Sequence, residues 1–200
     1  MSLGNSQIDT KEPHFSQREA AGVSGVPMGT INNWIDREYI SLSEPTDRRL
    51  AGRRFFSIRD IVVIRAMYYC TNRFGLPPSY AATIAHSIAT NMTEGRQPQG
   101  SDGKFMSTWF LVFRVLGNDG KLADGWGHDY AAYDASTGQF LDYNDASKQP
   151  VNPVNIVSGF LAIPSSKLAN HTFLQCADIL SQSAGNPKGL VTQGLPPMDF

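Results

Sequence analysis

Apolar positions recur with a helical rhythm before about residue 90 and with a strand-like rhythm beyond about residue 105. In "FSQREAAGVSGV", Ser16 stands where a helix cap is needed and Glu19 sits three positions on, the spacing of a capping box. Ala20, Ala21 and Val23 give this helix a small apolar face, and Gly22 and Gly25 are expected to end it. "VPMGTINNWIDREYI" starts a second helix with Pro27 in its first turn. Its Ile31, Trp34 and Ile35 fall three and four apart and face one core. Two short helices across a tight Ser-Gly turn form a helix-turn-helix pattern.

"SLSEPTDRRLAGRRFF" is too rich in proline, glycine and charge for a helix. Its flanking apolar residues, Ile40 and Leu42 on one side and Phe55 and Phe56 on the other, suit a two-stranded loop. Ser57 then caps a third helix with Asp60 as its partner, and Ile58, Ile61, Ile64 and Tyr68 form the buried stripe. "GLPP" breaks that helix and "SYAATIAHSIA" makes a fourth.

Further on, "FMSTWFLVFRVL" is rich in β-formers and "GNDG" is a hairpin-turn signal. "WGHDYAAYDASTGQFLDY" reads as two short strands around Ser136-Thr137-Gly138, and "VNIVSGFLAI" as another. "SSKLANHTFLQCADILSQ" closes the pattern as a helix with Leu168, Thr172, Cys176 and Ile179 on one side. The expected class is α+β, with an N-terminal helical unit over residues 15–89 and a small β-rich domain over 105–183. A loose start (1–14), a linker (90–104) and an irregular tail (184–200) complete the expected division.

Composition leaves room for a real core, at 41% hydrophobic and 18% charged. No apolar stretch approaches a membrane span and the polar start has no signal-peptide core, so a cytoplasmic location is expected. Cys70 and Cys176 lie far apart among apolar neighbours and read as buried thiols. The histidines at 14, 86, 128 and 171 have no ligand spacing, and neither metal nor cofactor is expected.

Charge changes the picture only when divided by region. The net charge of −1 hides a segment 14–90 with nine arginines, no lysine and six acids, against seven basic and ten acidic residues over 91–200. Arginine is the side chain that best makes forked contacts to phosphate. Arg48, Arg49, Arg53 and Arg54 fall within seven positions of one loop, where each can neutralise a phosphate. The plain alternative is a solvated loop paired with Glu44 and Asp47.

From Phe15 to about Ala89 the chain resembles the winged helix-turn-helix DNA-binding domain of the MerR family. The resemblance rests on Glu19-Ala20-Ala21, on Gly25-Val26 at the turn, on "TINNWIDREYI" at the recognition helix, and on "GRRFFSIRDI" at the wing-to-helix signature. It implies that the second helix enters the major groove and that Arg54 and Phe56 grip the backbone from the wing. The sequence departs from the family at Asn32 and Asn33, which replace an arginine and an aromatic, and at Glu38, which replaces a glycine. It also lacks the sustained heptads of the family's dimerising coiled coil.

Asparagine can read adenine through a bidentate pair. The DNA-contact candidates are therefore Pro27, Met28, Thr30, Asn32, Asn33 and Arg37 on the second helix, with Arg48, Arg49, Arg53, Arg54 and Phe56 on the wing. Trp34 shares a face with Ile31 and reads as core, and Phe55 and Phe56 should split, one inward and one outward. The expected function is a sequence-specific regulator of transcription on double-stranded DNA, its C-terminal half serving as an effector, interaction or homodimerisation domain. The alternatives are an excisionase-like or phage-type architectural factor, a small-molecule sensor, or a protein-interaction module. In the second half, Trp109, Trp126, Tyr130, Tyr133, Phe140 and Tyr143 suit a sheet core or an aromatic-lined pocket. No nucleophile–base pair stands at a convincing spacing, so an enzyme is not expected.

Overall fold

The computed structural model describes residues 9–43, 54–94, 107–115, 127–134, 139–142 and 156–183. Within them the chain is a mixed α+β fold. Two serines start two of its helices. Ser16 caps α1 (Gln17–Ser24) and Ser57 caps α3 (Ile58–Phe74), each closing a full capping box, with Glu19 and Asp60 respectively. Gly25 ends α1 at φ +72°, a left-handed conformation that costs glycine nothing. Gly22, expected to share that role, lies inside α1 instead. A short turn leads to α2 (Met28–Asp36), and a second left-handed glycine, Gly75, separates α3 from α4 (Pro78–Glu94). The fourth helix thus runs into the stretch read as linker.

The strand pairing next to the arginine loop differs from the expected one. Phe55 and Phe56 (β2) pair antiparallel not with residues 40–42 but with Phe15 and Ser16 (β1), placing Phe15 opposite Phe56. The segment before β1 is also docked: the His14 amide donates to the Phe56 carbonyl at 3.0 Å, and the Arg59 amide donates to that of Thr10 at 3.0 Å. The looseness expected through residue 14 therefore does not extend over Thr10–His14.

A four-stranded antiparallel sheet in the order β5-β4-β3-β6 follows, from β3 (Ser107–Val115), β4 (Gly127–Asp134), β5 (Gln139–Asp142) and β6 (Ile156–Ile163). Leaving β6, the chain enters α5 (Ser165–Ser183), whose start is fastened to the sheet. Ser165 Oγ donates to the Thr108 carbonyl at 2.9 Å, and the Thr108 amide donates to Ser166 Oγ at 3.1 Å.

One hydrophobic core crosses the boundary drawn from composition. α3 is apolar nearly all round, with Ile58, Ile61, Val62, Val63, Ile64, Ala66 and Met67 all buried, as befits a central helix. α4 covers part of it, and α5 covers another part with Leu168, Ala169 and Cys176. Phe110 of β3 and Ile163 of β6 belong to the same buried cluster as Ile31 and Phe56. Arg65 of α3 strengthens the seam, donating to Gln175 Oε1 of α5 at 2.6 Å. The sequence pattern showed each buried stripe but not that the C-terminal helix returns to the N-terminal unit.

Burial pushes both the Cys70 and the Cys176 thiols up to about 12. Both thiols are free and inert in the native fold.

Candidate nucleic-acid interface

α2 buries one face and presents the other. Ile31 and Trp34 are in the core, Trp34 with its ring 6.4 Å from that of Tyr68, as their helical spacing predicts. The opposite side carries Gly29, Asn33, Asp36 and Arg37, all exposed, flanked by half-buried Thr30 and Asn32. Pro27 stands at the helix cap and supplies no side-chain hydrogen bond. The leading amides of α2 thus lack a side-chain acceptor, the arrangement that accommodates a phosphate oxygen. Met28, in the first turn, is 49% exposed.

Beside this helix lies β2. Phe55 is 37% exposed whereas Phe56 is fully buried opposite Phe15. The expected split between the two rings is present, but in the reverse sense to the one the family resemblance implied for Phe56. Pleating puts successive side chains on opposite faces, and the pairing with Phe15 decides which face is the core. Phe56 is a core residue, and Phe55 is the ring available at the surface.

Arg54 is engaged as well. Its Nη1 donates to Asn32 Oδ1 at 3.2 Å and its Nη2 to Asp36 Oδ1 at 3.1 Å, and Gln17 Nε2 of α1 donates to the same Asn32 oxygen at 2.7 Å. Instead of extending into solvent, Arg54 ties β2 to the outward edge of α2. Asp36 is largely exposed, so the ion pair contributes little to stability by itself; its effect is positional.

The other flank of the arginine-rich segment is fixed by Asp60. This buried carboxylate accepts from the Ser43 amide at 2.9 Å and the Ser43 hydroxyl at 2.8 Å through Oδ1, and from the Ser57 amide at 2.9 Å through Oδ2. Three donors satisfy a charge that burial would otherwise make costly. Ser43 and Arg54 are therefore both anchored to the helical core. Arg48, Arg49 and Arg53, between them in sequence, lie outside the described residues.

The anchoring roles of Gln17, Asp36 and Ser43 were not legible in the sequence, and Asp60 was legible only as a helix cap. Their partners stand 14 to 18 positions away and leave no periodic trace.

A second feature is a cleft of about 430 Å³ between α1 and α5, with Glu19 and Val23 on one wall and His171, Gln175 and Asp178 on the other. Hydrogen bonds from the Ser16 side chain and backbone hold the Glu19 carboxyl below its ordinary range. Burial, then the charges of Arg65 and Lys167, lower the His171 imidazole. The aromatic set expected in the C-terminal half is seen in part: Trp109 and Tyr133 meet edge to face at 6.2 Å, and the side chains of Trp126, Tyr130, Phe140 and Tyr143 lie outside the described residues. Among the described residues no three metal-ligating side chains come together, and no helix is long and apolar enough to cross a membrane. Comparison with protein-family models gives no match, and comparison with curated protein sequences gives none either.

Proposed function

We propose that this protein binds double-stranded DNA with sequence preference and acts in transcription control, with α2 as the recognition helix of a winged helix-turn-helix. The observation that carries the reading is the outward face of α2. Thr30, Asn33 and Arg37 form a polar surface on a helix whose other face is locked in the core, one turn after α1. The segment holding Arg48, Arg49 and Arg53 runs from Ser43 to Arg54, and Arg54 is bonded to that same helix. Base-reading side chains on α2, with arginines suited to phosphate further along the chain, would make the usual division of labour between specificity and positioning.

An architectural factor of excisionase or phage type would use the same surface, and a bent duplex in the complex would favour that variant. Ligand sensing is supported by the cleft between α1 and α5, whose occupant would touch both halves of the chain. The C-terminal half is also the proposed homodimerisation unit. The test is selection of bound duplexes from a random library by the full chain: enrichment of a defined site supports the reading, and equal recovery of all sequences rejects it.

A further inference from the structure

The two neighbouring asparagines of α2 are not equivalent readers. Arginine carries only donors, so the Asn32 atom that meets Arg54 Nη1 at 3.2 Å is the amide oxygen and not the nitrogen. The same oxygen accepts from Gln17 Nε2 at 2.7 Å. An amide oxygen has two lone pairs, and both are taken. Asn32 is left with its Nδ2 hydrogens alone. Asn33, one residue on and exposed, has no side-chain hydrogen bond among the described residues, so its oxygen and its nitrogen are both available.

Bidentate recognition of adenine requires an amide that donates to N7 and accepts from the N6 amino group at once. Asn33 meets that requirement and Asn32 does not. We infer that α2 reads DNA with a divided code: Asn33 recognises adenine, whereas Asn32 is a donor-only reader of a base that presents acceptors in the major groove. Guanine fits the second role best, through O6 and N7, and thymine offers O4. Gln17 and Arg54 are positioning residues that set the polarity of Asn32 without touching a base. The inference rests on the DNA-binding reading above and adds which base chemistry each position takes.

A single-atom exchange tests it. In Asn32→Asp one carboxylate oxygen keeps both donors, Gln17 and Arg54, while the other end of the side chain changes from donor to acceptor. The full-length wild-type chain, N32D and N33A are each used to select duplexes from a randomised library, with circular dichroism melts confirming that the variants are folded. The wild-type site should contain a preferred adenine and, at a separate position, a preferred guanine or thymine. N33A should lose the adenine preference, a discrimination of about 5- to 150-fold for a good bidentate pair, and keep the other. N32D should keep the adenine and change the other position to a base with an exposed amino group, cytosine or adenine. Loss of the adenine preference in N32D, its retention in N33A, or a wild-type site with no preferred adenine would overturn the divided code while leaving DNA binding intact. A wild-type chain that enriches no site would instead remove the DNA-reading function itself, and that outcome is visible before any variant is compared.

Discussion

Leu168 offers a direct way to ask whether the two halves of the chain stand or fall together. It lies on α5, is fully buried, and belongs to the cluster that includes Ile61 and Met67 of α3. Replacing it with alanine removes the transfer free energy of three carbon groups and leaves a cavity, a combined cost of about 2–5 kcal/mol. That is a large part of the ~5–15 kcal/mol that holds a typical domain folded. Cys70 is a convenient reporter because it sits in α3 in the other half of the sequence, fully buried, and its thiol is inert while the fold is closed. In a Cys176→Ala background, the rate at which a disulfide reagent labels Cys70 reads the opening of the N-terminal helices. If α5 completes their core, Leu168→Ala should speed that labelling by roughly 30-fold to several thousand-fold, since each 1.4 kcal/mol is about a factor of ten. Circular dichroism and labelling should then report one cooperative transition. An unchanged Cys70 rate, with destabilisation confined to the C-terminal half, would refute the shared core and restore two independent domains.

Three further outcomes follow from individual residues. Asp60→Ala strands the Ser43 and Ser57 donors and should lower stability by about 1–3 kcal/mol in urea melts; it should also weaken DNA binding if the Ser43 anchor positions the arginine segment. Glu38 sits at φ +60°, where a side chain is strained, so Glu38→Gly should raise the unfolding free energy from urea melts by up to about 1 kcal/mol, the relief exceeding glycine's extra entropy only modestly. Burial is the main reason that His86 and His171 are held below the ordinary imidazole value of 6.5. The unfolded chain therefore binds more protons than the folded one near and below that pH; stability is full above about pH 6.5 and declines as pH falls through it. His86→Gln should flatten the decline measured by urea melts between neutral and mildly acidic pH.

Most local signals in the sequence were faithful to the structure, although Gly22 lies inside α1 and does not end it. The Ser16–Glu19 and Ser57–Asp60 capping boxes, the Gly25 turn and the inward set of Ile31 and Trp34 all follow from residues within four positions of one another. Four strands of the second half were legible from the change to strand periodicity, and its helix from the spacing of Leu168, Thr172, Cys176 and Ile179. What escaped was non-local. Two-residue strands such as Phe15–Ser16 and Phe55–Phe56 are too short to show a period, so their pairing across the helix-turn-helix left no mark. That pairing turns Phe56 inward and Phe55 outward, a choice alternation leaves open. Likewise, Leu168, Thr172 and Cys176 declared a buried face on α5 but not that α3 would cover it. Arg54 was legible as a cation, yet its commitment to Asn32 and Asp36 depends on the position of β2, which only the assembled core sets.

In the proposed function, the outward face of α2 and the arginines that follow it in sequence meet a nucleic acid duplex. Fluorescence anisotropy of the full-length chain with a short duplex, repeated over a range of salt concentrations, tests it most directly. Each neutralised phosphate contributes about 0.9 to the slope of log affinity against log salt. Clear binding at low salt is expected, with a slope of magnitude roughly three or more. The slope should flatten by roughly two to three units when Arg48, Arg49 and Arg53 are all replaced by alanine. Absence of binding at low salt, or a slope that the triple replacement leaves unchanged, would contradict it.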